Sequence, residues 1–163
     1  ARLAGAGEII AVDVLPAALE RAKQLGADHL VDARDGDPAA QIRALTDGEG
    51  ADLAIELVGR PSSISAAEAC LGRGGRAVLV GIGAEPVTVL PTAIFSVFNH
   101  AVLGSLGYRR EDVARLVRLI ANGRLDLSGS ISARLPLADI NEGVRRLEEK
   151  EGNPVRIMVC PEL

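Results

Sequence analysis

The sequence predicts an α/β fold in which a parallel sheet is doubly wound, with helices on both of its faces. Three observations predict it. Apolar runs of strand length alternate with amphipathic stretches of helical period along the chain. Proline and glycine mark where the helical stretches start and stop, as at Pro16 and Gly26. The chain has 163 residues, of which 48% are hydrophobic, enough for one globular domain.

The first strand is expected at Glu8 to Asp13. It follows a Gly5-Ala6-Gly7 break that suits the end of a helix already under way at residue 1. Pro16 starts a helix with Leu19, Ala22 and Leu25 at roughly helical spacing, and Gly26 closes it. His29 to Val31 is a short strand, and Asp37-Pro38 opens a helix with Ile42 and Leu45 on one face that ends near Gly48. Asp52 to Val58 reads as a buried strand, Ser62 to Leu71 as a helix and Arg76 to Gly81 as the next strand. After Gly83 the alternation loosens, with a short helix at Thr92 to Phe98 and a strand at Ala101 to Ser105. A long amphipathic helix runs from Glu111 to Asn122, a further helix from Ala138 to Glu149, and the run Val155 to Val159 is expected to end the sheet. There is no repeat, low-complexity tract or linker.

Composition removes several function classes. With 18 Lys+Arg against 22 Asp+Glu, the net charge is −4. Together with only three aromatic residues, Phe95, Phe98 and Tyr108, this argues against nucleic-acid binding by charge and stacking. No apolar run approaches the ~20 residues of a membrane span. Cys70 and Cys160 share no metal-type spacing with His29 or His100, so neither a disulfide framework nor a metal site is indicated, and the compartment reads as reducing and cytoplasmic. The only methionine is Met158, which reads as a processed chain or a fragment.

A strand that ends in an acid, as Val12-Asp13 does, is what a nucleotide-binding βαβ unit uses to grip a ribose through its vicinal hydroxyls. An Asp after a strand also serves as a turn former or helix cap. In the nucleotide fingerprint the acid lies ~20 residues after the glycines, which would put them before residue 1. Gly5-Ala6-Gly7 and Gly72-Arg73-Gly74-Gly75 both precede strands and cannot serve. In a sheet of order 3-2-1-4-5-6 the central first strand is then lacking. The expected result is a break between the strand at Glu8 to Asp13 and the one at Asp52 to Val58.

Ala22-Lys23-Gln24-Leu25-Gly26-Ala27-Asp28 behind Val12-Asp13 resembles the second βαβ unit of the medium-chain dehydrogenases, the zinc-type alcohol dehydrogenases. In the same order as in that family follow Asp52-Leu53-Ala54-Ile55-Glu56 before Gly59, Gly74-Gly75-Arg76 to Val80-Gly81, and Leu103-Gly104-Ser105. Leu137 to Gly143 then resembles the family's late helix, and Arg156 to Val159 its closing strand. The resemblance covers nearly the whole chain. It implies a partial Rossmann-type dinucleotide-binding domain over residues 1–163, with a catalytic domain upstream.

By that resemblance Asp13 is the ribose-binding acid, and since Val14 rather than Arg follows it, NAD is implied over NADP. Val58 and Gly59 match the strand end beside the adenosine. Val80, Gly81 and Ile82 match the turn whose backbone approaches the nicotinamide, where glycine suits close approach. Gly104, Ser105 and Gly107 match the segment that meets the carboxamide near a dimer contact, and Arg156 an arginine that reaches the pyrophosphate. The family holds its zinc with Cys and His mostly from an upstream domain, so zinc is implied for a complete protein while no residue here is a metal ligand or a catalytic group. His29 and His100 read as solvated or packed, Cys70 and Cys160 as small buried hydrophobes, and Tyr108 as a surface residue.

The implied activity is hydride transfer between nicotinamide and a small alcohol, aldehyde or ketone, by a homo-dimer or homo-tetramer. A zinc-free quinone or enoyl reductase of the same family is the alternative. From a different class, a non-catalytic nucleotide-binding module would use the same sheet.

Overall fold

The computed structural model describes residues 1–162, which form two compact units, divided between Leu106 and Gly107. The first unit opens with a 3₁₀ turn, Arg2–Ala4, ended by Gly5 in the left-handed region at φ 93°. Strand β1 (Ile10–Asp13) leads to helix α1 (Pro16–Gln24), strand β2 (His29–Asp32) and helix α2 (Pro38–Leu45). Strand β3 (Ala51–Glu56), helix α3 (Pro61–Ala69), strand β4 (Leu71–Leu79), helix α4 (Thr92–Phe98) and strand β5 (Ala101–Gly104) follow.

Every strand pair is parallel, which is why a helix or long crossover separates each pair of partners in sequence. β1 pairs with β2, and a separate sheet runs in the order β3-β4-β5. In the doubly wound order this is 3-2 on one side and 4-5-6 on the other. β1 and β3 do not pair, so the break expected from the fingerprint spacing is present. Val12, Leu53 and Ile55, on the strands flanking it, stay exposed.

Both sheets nonetheless share one core. Val31 of β2, Ala39 and Ile42 of α2 and Cys70 form its buried centre, with Ile10 of β1, Ala51 and Ala54 of β3 and Ala69 of α3 packed around it. Arg43 ties α2 to the neighbouring crossover by donating to the carbonyls of Ala69 and Leu71 at 3.0 and 2.9 Å. Local chemistry starts the helices where expected. Asp37 caps α2 by accepting the Ala39 N–H at 3.0 Å, and proline occupies the first turn of α1, α2 and α3.

Two strands differ from expectation. β4 begins at Leu71 rather than Arg76, because Ala51 pairs with Leu71 and the ladder then shifts so that Leu53 pairs with Arg76. The glycines at 72, 74 and 75 are a bulge inside the strand and not a break before it. In the second unit, helix α5 (Arg110–Ala121) and a 3₁₀ turn precede a strand that the periodicity did not reveal, β6 (Ala133–Pro136). Helix α6 (Ile140–Glu148) then leads to β7 (Ile157–Cys160), which pairs with β6 in a sheet of its own. Gly143 lets α6 lie close on this pair, since a Cβ there would meet Leu135 Cδ1 at 3.2 Å and Ile157 Cγ2 at 3.4 Å. No helix of the described residues is long and apolar enough to cross a membrane.

Candidate functional site

Parallel pairing puts the carboxyl ends of β3, β4 and β5 at one edge. Glu56 pairs with Leu79 and Leu79 with Gly104, so the segments after them emerge side by side. Backbone bonds continue past the strands: Val80 and Gly81 donate to the Glu56 carbonyl at 2.8 and 3.0 Å, and Ser105 donates to Leu79 at 2.9 Å. Seven of the ten sequence-derived candidates, Val58, Gly59, Val80, Gly81, Ile82, Gly104 and Ser105, thus gather at this edge. Leu57, Val58 and Ile82 expose large apolar surface there.

The turns after β3 and β4 meet backbone to backbone. A Cβ on Gly81 would lie 2.2 Å from Gly59 N, one on Gly59 2.5 Å from Ile82 C, and one on Gly83 1.9 Å from Gly59 O. Gly59 also has φ 81°, a conformation that glycine adopts without strain.

Glu56 holds this corner together, a role that sequence reasoning missed. Glu56 is 4% exposed. It accepts the Val58 N–H at 2.9 Å, the Gly59 N–H at 2.9 and 3.0 Å, and the Ser63 hydroxyl at 2.6 Å. Desolvation pushes the carboxyl up, but the bonds from Ser63, Gly59 and Val58 outweigh it and leave the group below the usual glutamate value. The available signal was an acid ending a strand, with glycine three residues on and serine in the next helix's first turn.

On the other sheet, Asp13 ends β1 half-buried, and its Oδ1 accepts the Leu15 N–H at 2.9 Å, fixing the turn into α1. Oδ2 accepts no hydrogen bond among the described residues and is available to a ligand hydroxyl. Gly107 and Arg156 belong to the second unit. Gly107 has φ 67°, and Arg156 donates to Ser130 Oγ at 2.7 Å.

The remaining candidates sort by environment. Tyr108 is 83% exposed, as expected of a surface residue. Cys70 is buried and its thiol is pushed up by desolvation, which keeps it protonated and inert, while Cys160 is half-buried. His29 lies 3.4 Å from Glu8, and His100 packs against the rings of Phe95 and Phe98. Among the described residues no group of three or more His, Cys, Asp or Glu side chains could hold a metal ion. The donor set of the described residues therefore does not fit a zinc ion. It does fit a nucleotide, through one free carboxylate oxygen and a glycine-lined, apolar strand edge.

Comparison with known proteins gives consistent relatives. A family model described as zinc-binding dehydrogenase matches residues 1–122. L-threonine 3-dehydrogenase of Bacillus subtilis (strain 168) is 32% identical over 162 residues, covering 99% of this chain and 46% of the relative. An NAD-dependent alcohol dehydrogenase of Sulfurisphaera tokodaii is 31% identical over 91% of this chain and 42% of its own length. Among solved structures, an alcohol dehydrogenase from Thermus sp. ATN1 superposes with a TM-score of 0.89 at 30% identity, covering 98% of this chain and 46% of that one. The chain spans just under half the length of these relatives.

Proposed function

Because the chain belongs to the zinc-binding dehydrogenase family, we propose that it is the nucleotide-binding part of an NAD-dependent alcohol dehydrogenase acting on a small alcohol, aldehyde or ketone. The observation that carries the reading is Asp13 at the carboxyl end of β1, with Oδ1 engaged by Leu15 and Oδ2 left for a ribose hydroxyl. Val58 and Gly59 would flank the adenosine, the backbone of Val80 to Ile82 would lie against the nicotinamide, and Gly104 and Ser105 would meet its carboxamide. Bound NAD supplies the hydride acceptor. This chain's part is to hold the nicotinamide in one orientation and to keep water from one face with the apolar side chains of Val58, Val80 and Ile82. Zinc, where the complete protein carries it, takes its ligands from residues outside this chain.

The cofactor choice is tested at Asp13. Asp13→Ser with Val14→Arg removes the hydroxyl acceptor and adds a phosphate partner. In the full-length protein, the ratio of kcat/KM for NAD to that for NADP should fall by about a hundredfold or more. An unchanged ratio refutes the assignment of Asp13.

The same reading includes a homo-oligomer. β5 is an edge strand of its sheet, and Leu103, Val97 and Phe98 nearby are exposed. A two-fold contact along this edge buries the same patch twice. Leu103→Glu should shift the protein from dimer toward monomer in light scattering at micromolar concentration. A wild-type protein that is already monomeric there excludes the contact.

A further inference from the structure

Discrimination against a phosphorylated ribose is built from more than Asp13. The β1–β2 register sets Asp13 directly beside Asp32, with ladder neighbours about 5 Å apart. The chain after β2 stays attached to that point, because Ala33 donates to the Asp13 carbonyl at 3.0 Å. The turn that follows, Ala33 to Gly36, carries a single cation, Arg34. Asp32 encloses it: Oδ1 accepts both the Arg34 N–H and Nε at 2.9 Å, and Oδ2 accepts Nε at 3.1 Å and is also bonded to the terminal nitrogen. These bonds hold the Asp32 carboxyl at about 2, so it is charged throughout the working range of any enzyme.

We propose that Asp32 is a specificity-determining residue, which denies a 2′-phosphate a cation partner beside Asp13 by holding the guanidinium of Arg34 in its fork. The inference rests on the reading of Asp13 as the ribose acceptor. A 2′-phosphate carries close to two negative charges, and here it meets the Asp13 carboxylate beside an Asp32–Arg34 ion pair of no net charge, whose guanidinium is already taken up by Asp32. A ribose with free hydroxyls meets no such opposition. Removing the charge at position 32 leaves the Arg34 cation without its counter-charge and available to a phosphate.

The test uses equilibrium binding of NADH and NADPH to the full-length protein, measured by calorimetry without turnover. Asp32→Asn keeps an oxygen to accept the Arg34 N–H and so preserves the turn. It should lower the NADPH dissociation constant about tenfold relative to that of NADH. Adding Arg34→Ala to Asp32→Asn should remove most of that gain, which separates release of the guanidinium from loss of a charge. No gain with Asp32→Asn, or a gain that survives loss of Arg34, overturns the proposal. Circular dichroism checks folding, and Asp32→Ser, whose hydroxyl can also accept in the turn, repeats the measurement if Asp32→Asn is unfolded. If Asp13→Ser weakens NADH binding while neither variant at 32 shifts the ratio, the Asp32 inference alone fails. If the wild-type protein binds no NADH, the cofactor reading itself fails.

Discussion

Gly81→Ala is expected to lower the melting temperature by about 6–12 °C and to abolish NADH binding. A Cβ at position 81 would sit 2.2 Å from Gly59 N and 2.5 Å from Val58 N, well inside van der Waals contact. Both obstacles are backbone, so no side chain can rotate away and the turns after β3 and β4 must part. Overpacking of this kind costs about 3 kcal/mol, which in a domain of this size is several degrees in melting temperature. Parting the turns also moves Val58, Gly59 and Ile82, the surface assigned to the nucleotide. Gly7→Ala serves as the control, since a Cβ there meets nothing within 4 Å and its φ is ordinary. Equal melting temperatures for Gly81→Ala and wild type would show that the two turns are not in contact.

Glu56→Ala should cost more, about 3–5 kcal/mol in urea unfolding, because it leaves the Val58 and Gly59 N–H groups and the Ser63 hydroxyl without their shared acceptor. The effect carries a pH signature. The folded carboxyl is depressed below the ordinary value of 4.5, so its contribution to stability is complete above that value and is lost as pH falls through the lower folded value. The stability difference between wild type and Glu56→Ala should therefore be constant near neutrality and shrink below about pH 4.5. A difference that does not change with pH would mean that the carboxylate charge is not what holds the turn.

What could be read from the sequence follows from how local each signal is. The helix at Thr92–Phe98 was legible because proline at 91 and an apolar pattern within seven residues define it. β1 was legible because an apolar run ends at Asp13, although its first residues, Glu8 and Ile9, lie outside the ladder. β4 was half-legible. Glycines at 72, 74 and 75 look like a loop, and only the partner strand shows that they are a bulge. β6 escaped because four residues ending in proline carry little strand signal, and its pairing with β7 lies far along the chain. The same contrast holds at the site. Asp13 announced itself by its place after an apolar run and by family resemblance. The tasks of Glu56 and Asp32 depend on a turn and on a strand register, which no local pattern encodes.

The uniformly parallel pairing bears on how the chain reaches this structure. Register partners in all four ladders are roughly 19 to 25 residues apart, so each ladder must close a loop of similar size before its first bond forms. Doubling a loop costs only ~0.6 kcal/mol, and differences of a few residues do not rank the ladders. No hairpin among them offers an early local nucleus. Kinetic priority then passes to side-chain burial, and the cluster of Val31, Ala39, Ile42 and Cys70 is where helix α2 can collect β2 and β3 in one event. Truncating Ile42 should slow refolding, whereas truncating the exposed Leu103 should leave the refolding rate as it was.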